Sequence, residues 1–256
     1  MKTALIQFEI AWEDKSVNFR KIESLISAFP KRIDLIILPE MFNTGFSMNP
    51  AELSEKPGSE TFVWMQRIAD ESNAAVCGSY IVEEDGSYYN RWIFVSPENE
   101  MYIYDKRHLF SPGGEDSLFE RGRERVIFTY KGFRICPNIC YDLRFPVWSR
   151  NRNDYDLLIN SANWPAPRQD VWNTLLKARA IENQCYVAGV NRTGIDGAGI
   201  KYAGGSVMLG PSGETIASGI ISDEGIIFSE ISYSELSDFR RKFPVLNDGD
   251  DFTINS

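Results

Sequence analysis

Two short, uninterrupted apolar runs constrain this chain most: residues 34–38 (DLIIL) and 157–160 (LLIN). Both are too short for a buried helix, and neither alternates as a half-exposed strand does. They read as strands covered on both faces. The chain also carries the amphipathic helices that could cover them. Residues 16–29 place Val17, Phe19, Ile22, Leu25 and Ile26 at helical spacing and stop before Pro30. Residues 60–72 read as a second helix and 169–183 as a third, with Val171, Leu175, Ala178 and Ile181 winding along it. Further strands are expected at 3–8, 75–82, 91–95, 101–104, 126–130, 133–139, 186–190, 205–209 and 225–231. Asp85-Gly86 and Pro97 punctuate the middle third, Lys131-Gly132 predicts a hairpin, and Pro211-Ser212-Gly213 a turn. Strands and helices interleaved at this density imply sheets covered by helices, an α/β fold. Periodicity leaves the number and order of sheets open.

With 256 residues, no repeat and no low-complexity linker, the chain reads as a single domain over 1–256. From about residue 245 it turns polar and acidic (Asp248-Gly249-Asp250-Asp251), a tail either loose or reaching to a partner subunit. A formal net charge of -9 argues against nucleic acid as a partner. The N-terminal apolar stretch is short and broken by Glu9, which makes a poor signal-peptide core, and no stretch approaches the length of a membrane span. The four cysteines, Cys77, Cys136, Cys140 and Cys185, show no disulfide-scaffold spacing, and a reduced cytoplasmic location is expected. A zinc site would need more than Cys136, Cys140 and the single histidine, His108, so no metal is expected.

One histidine leaves most Ser-His-Asp and Cys-His schemes short of candidates, and no nucleophile elbow, phosphate loop or dinucleotide fingerprint is present. Attention then falls on strand ends, where α/β folds place ligands. Glu40 follows the run 35–38 and Lys106 follows the strand 101–104; taken alone, each reads as an ordinary surface charge. Cys140 differs. An apolar strand runs directly into it and a polar, helix-starting segment follows, a setting in which backbone N–H groups and cations can lower a thiol pKa. Cys77, Cys136 and Cys185 read as buried structural thiols.

At these segments the chain resembles the nitrilase, or carbon–nitrogen hydrolase, superfamily. The motifs are LPEMF (38–42), YDKRHLF (104–110), NICYDLRFPVWSR (138–150), INSANWP (159–165) and LLKARAIENQCYVAGVNRTG (175–194), in order and across most of the chain. The resemblance implies a four-layer α-β-β-α sandwich and assembly into homodimers or larger homo-oligomers. It implies a triad of Glu40 as general base, Lys106 as electrophilic stabiliser and Cys140 as nucleophile, with the Tyr141 backbone N–H as a second oxyanion donor. Glu115 is a looser match to a second carboxylate, since Asp116 and Glu120 lie close by, and Trp164 resembles a residue bordering the substrate amide. A His108–Cys140 dyad competes poorly with this assignment. Arg144 and Arg179 look structural, fixing the loop after Cys140 and the following helix. No cofactor is implied.

The string CYDLRFPVWSR and the compact chain are most similar to omega-amidases, which release ammonia from α-keto acid monoamides such as 2-oxoglutaramate and 2-oxosuccinamate. A related keto-amide of methionine salvage is a further candidate. These substrates carry a carboxylate, so a cationic or N–H-rich recess is expected, formed by residues the sequence does not reveal. Other branches (nitrilase, aliphatic amidase, N-carbamoyl amino acid hydrolase) and a catalytically silent scaffold are the competing readings.

Overall fold

A computed structural model describes residues 1–29 and 32–254. Its strands are β1 (Lys2–Gln7), β2 (Leu35–Ile37), β3 (Ala75–Glu84), β4 (Ser87–Val95), β5 (Met101–Asp105), β6 (Phe128–Tyr130), β7 (Phe133–Ile139), β8 (Leu157–Ala162), β9 (Tyr186–Asn191), β10 (Thr193–Ile195), β11 (Lys201–Ala203), β12 (Val207–Leu209), β13 (Thr215–Ser218) and β14 (Gly225–Glu230). Its helices are α1 (Lys15–Ala28), α2 (Pro50–Leu53), α3 (Glu60–Ser72), α4 (Gln169–Asn183) and α5 (Tyr233–Lys242).

The strands form two six-stranded sheets, β14-β1-β2-β3-β4-β5 and β13-β12-β9-β8-β7-β6, and β10 and β11 make a separate ribbon. Each large sheet has a parallel trio at its centre, β1-β2-β3 in one and β7-β8-β9 in the other, flanked by antiparallel strands. The two apolar runs that opened the sequence reading are the middle strands of these trios. Leu35 and Ile37 turn inward to meet Leu157 and Ile159 between the sheets. Ile36 and Leu38 turn outward under α1 and α3, against Phe19, Ile22, Met65 and Ile68. Leu158 turns outward under α4, against Trp172 and Leu176. Alternate side chains thus serve two apolar layers, which is why the runs show no polar face. The result is the α-β-β-α sandwich.

The hairpins at Asp85-Gly86 and Lys131-Gly132 have positive φ at both turn residues, the type I′ geometry that suits right-twisted strands. Some features depart from the sequence reading. A strand, β13, occupies part of the stretch read as one turn between 205–209 and 225–231. It is an exposed edge strand with no apolar alternation to announce it. The preceding strand begins at Val207, because Gly204 and Gly205 adopt positive φ and a Cβ on Gly204 would lie 2.4 Å from the Gln7 side chain. Helix α5 buries only Leu236 and so carries little apolar periodicity. At the C-terminus, Ile254 packs against the inner core and the Arg152 guanidinium lies 4.2 Å from the Phe252 ring centroid. No helix among the described residues is long and apolar enough to cross a membrane.

Candidate active site

Glu40, Lys106 and Cys140 converge at the C-terminal ends of β2, β5 and β7. Glu40 follows β2 through Leu38-Pro39, and the next residues are pinned to β3 by Met41 N–H to Ser79 Oγ (2.9 Å) and Phe42 N–H to Ser79 O (3.1 Å). Lys106 follows β5 with its N–H donated to Asn90 O of β4 at 3.0 Å. Glu115 sits in a 3₁₀ turn after Gly114, with one carboxylate oxygen accepting the Phe110 N–H at 2.6 Å.

The Lys106 ammonium is wholly buried between the two carboxylates, 2.8 Å from Glu40 Oε1 and 2.8 Å from Glu115 Oε2. Burial works against its charge, but Glu115 and Glu40 outweigh it and hold the lysine pKa above its ordinary value. Lys106 is a fixed cation. Burial raises the Glu115 pKa; Lys106 pulls it down and Glu40 pushes it up.

Cys140 opens a five-residue 3₁₀ helix with φ of 42°, a backbone conformation that non-glycine residues rarely adopt. Asp142 holds that elbow. Its Oδ2 accepts from the Ile139 N–H (3.0 Å) and the Tyr104 hydroxyl (2.7 Å), and its Oδ1 accepts from the His108 N–H (2.9 Å) and lies 2.7 Å from His108 Nδ1. The His108 ring also stacks on Phe145 at 3.8 Å. His108 thus serves the elbow rather than the thiol.

The Cys140 thiol contradicts the expectation of a lowered pKa. Burial pushes it well above the ordinary cysteine range, the neighbouring Glu40 charge raises it further, and Lys106 opposes both. A thiol with a raised pKa needs a base before it can attack, and Glu40 is the carboxylate beside it.

Asn163, within the ANWP motif but not singled out from sequence, ties these parts together. Its N–H donates to Glu40 Oε2 at 2.9 Å, its side-chain amide donates to Glu40 O, and its carbonyl lies 3.8 Å from Cys140 Sγ. Asn90 was also missed; a polar residue within the buried stretch 90–95 of β4 was the available signal.

Glu40, Lys106, Cys140 and Asn163 line a cavity of about 500 Å³. Phe46, Phe110, Tyr141 and Trp164 supply aromatic walls, and Asp196 and Tyr202 close another side. Trp164 is fixed by its indole N–H to Arg168 O at 2.8 Å. Arg179 is structural as expected, donating to Leu143 O at 2.6 Å and pairing with Glu182. Arg144 is not: it lines the cavity, 5.0 Å from the Trp164 ring centroid. Arg168 joins it, 5.6 Å from the Phe110 ring centroid.

Comparison with known proteins decides the family. The carbon–nitrogen hydrolase family model matches residues 2–241. The chain is a carbon–nitrogen hydrolase. It is 43% identical over 254 residues to omega-amidase YafV of Escherichia coli (strain K12), covering 99% of this chain and 98% of the relative. It is 36% identical to the 2-oxoglutaramate amidase of Bacillus subtilis (strain 168), covering 95% of each. Among solved structures, the hydrolase resembles XC1258 of Xanthomonas campestris, a CN-hydrolase superfamily protein with an arsenic adduct in its active site, with a TM-score of 0.96, 38% identity and coverage of 100% and 99%. It shares its fold with Saccharomyces cerevisiae Nit3 of the nitrilase superfamily, with a TM-score of 0.86 at 23% identity over 96% and 94% of the two chains. The hydrolase therefore has the nitrilase-type sandwich that its motifs implied.

Proposed function

We propose that this carbon–nitrogen hydrolase is an omega-amidase that cleaves α-keto acid monoamides, 2-oxoglutaramate and 2-oxosuccinamate, with Cys140 as nucleophile. The observation that carries the reading is the make-up of one cavity: a thiol beside a carboxylate and a buried ammonium, with two guanidinium groups in the same lining. Among the described residues neither Arg144 nor Arg168 makes an ion pair, in a chain with 36 acidic residues. The two carboxylates lining the cavity are both engaged. Glu40 accepts from Lys106, Asn90 and Asn163; Asp196 accepts from the Tyr202 hydroxyl and the Ala198 and Ile200 N–H groups. Such a cavity favours a ligand carboxylate and offers no free anion to an α-ammonium group. The names of the relatives point the same way.

Glu40 takes the thiol proton as Cys140 Sγ attacks the amide carbon. The oxyanion forms against the Lys106 ammonium and the Tyr141 N–H, which lies in the first turn of the 3₁₀ helix and so has no intrahelical acceptor. Glu40 returns the proton to the departing nitrogen, and ammonia leaves a thioester. Water, deprotonated by Glu40, attacks the thioester; the Cys140 thiolate leaves, takes back the proton from Glu40, and the dicarboxylic keto acid is freed. Glu115 anchors Lys106, and Trp164 borders the amide.

The test is ammonia release from 2-oxoglutaramate set beside glutamine, a simple nitrile and N-carbamoyl amino acids, with wild type and Cys140→Ala. Release from the keto-amide that disappears in Cys140→Ala supports the reading. Faster release from another member of the panel moves the enzyme to a different branch.

The same reading takes 1–256 as a single domain, places it in the cytoplasm, in keeping with four free cysteines, and expects homodimers or larger assemblies. Exposed apolar side chains on α4 (Val171, Ile181) and at the ends of α5 (Tyr233, Phe243) support association. Light scattering after gel filtration tests it, and a monomer at all concentrations would end that part of the proposal.

A further inference from the structure

We propose that Asn90 is a positioning residue of the hydrolytic site, whose side-chain amide fixes the Glu40 carboxylate against Glu115. The inference rests on the reading of Glu40 as the base. Asn90 lies in β4, wholly buried, and its Nδ2 donates both to Glu40 Oε1 (2.9 Å) and to Glu115 Oε1 (3.0 Å). The Lys106 ammonium bonds the same two oxygens, at 2.8 and 3.1 Å. Two donors and two acceptors therefore alternate around one closed ring. The donors are themselves linked through the main chain, since the Lys106 N–H donates to Asn90 O. Among the described residues Asn90 Oδ1 has no hydrogen-bond partner, so the carboxylates set the orientation of the amide.

The charges explain why an amide stands there. Two carboxylates around one ammonium, when ionised, leave a unit of negative charge in excess at a buried position. Burial alone would relieve it by binding a proton. A proton on Glu40 removes the base; a second cation would pair with Glu40 and compete for it. A neutral N–H donor shared by both carboxylates favours their ionised forms without doing either. The other titratable groups facing the ring are Lys106, Glu115 and the Cys140 thiol, with Tyr202 beyond the thiol. Next to Asn90 in the sheet, Ile81 carries no charge and Arg91 is paired with Asp105 at 2.7 Å.

The test compares wild type with Asn90→Ala and the milder Asn90→Ser in two measurements: the pH dependence of amide turnover, and the pH dependence of Cys140 alkylation by iodoacetamide, read at that residue by mass spectrometry. Alkylation needs the base but no amide substrate. In Asn90→Ala, kcat is expected to fall about 10- to 100-fold with KM nearly unchanged. The acid limb of both profiles is expected to move up by about one pH unit, because a carboxylate that loses a hydrogen bond to its charged form binds its proton more tightly. A folded Ala or Ser variant that loses stability but keeps the wild-type acid limb in both profiles overturns the inference, leaving Asn90 a merely structural residue. If no amide on the panel turns over while the alkylation limb still shifts, the inference stands and the substrate reading fails.

Discussion

Among the described residues, Arg168 and Arg144 hold their charges over aromatic rings rather than against carboxylates, which leaves their N–H groups available to a ligand. A bidentate guanidinium–carboxylate contact contributes about 1.5–3 kcal/mol. Arg168→Gln should therefore raise KM for 2-oxoglutaramate about 10- to 100-fold, with a much smaller effect on a short neutral amide. Equal losses on both substrates would mean that Arg168 only shapes the cavity. A second expectation concerns pH. A lysine whose folded-state pKa is raised keeps its charge, and the stability that charge brings, until the pH passes that raised value. The thiol pKa is raised as well. Turnover should then show no alkaline fall-off between about pH 7 and 9. A descending limb there would place the titration of Lys106 far lower than its two carboxylates imply. Glu40, Lys106 and Cys140 were legible because each follows a readable strand within a familiar string. Asn90 and Arg168 were not: each matters through what it meets across the fold, and linear spacing does not record that. Arg144 was seen, but nothing in CYDLR says that its guanidinium turns to the cavity.

At the level of elements, the turn after β7 depends on Asp142. Its carboxylate accepts two backbone N–H groups and the Tyr104 hydroxyl and meets the His108 ring, and removing it orphans those donors. Asp142→Ala should cost about 3–5 kcal/mol of unfolding free energy in urea titration and reduce turnover even where the protein is folded. A variant of wild-type stability would show that other contacts maintain the positive φ at Cys140. Elements with strong periodicity were legible nearly to the residue, as α3 and α4 illustrate. Those that bury little, α5 and β13, were not, and neither was the ribbon β10–β11 that carries Asp196 and Tyr202 to the cavity. Short exposed segments owe their shape to the surface they lie on.

At the scale of the molecule, the inner layer between the sheets is the largest shared core, and Leu157 sits in it with no exposure. Leu157→Ala should destabilise the protein by about 2–5 kcal/mol, measured by denaturant titration. A loss under 1 kcal/mol would show that the layer closes over the gap. Doubly buried strands could be read from sequence, but two sheets back to back could not, because one strand's pattern is the same whether a sheet or a helix covers it. That docking has a further consequence. Glu40 hangs from one sheet and Cys140 from the other, and Asn163 and the Ser161 hydroxyl, which donates to Leu38 O at 2.8 Å, stitch the two together beside the thiol. On the proposed mechanism, a chain with one half folded has the nucleophile or the base in place, never both. Ammonia release therefore counts finished molecules: in a refolding experiment it should lag secondary structure and return only with the closing of the two halves, like a lock that takes two keys at once.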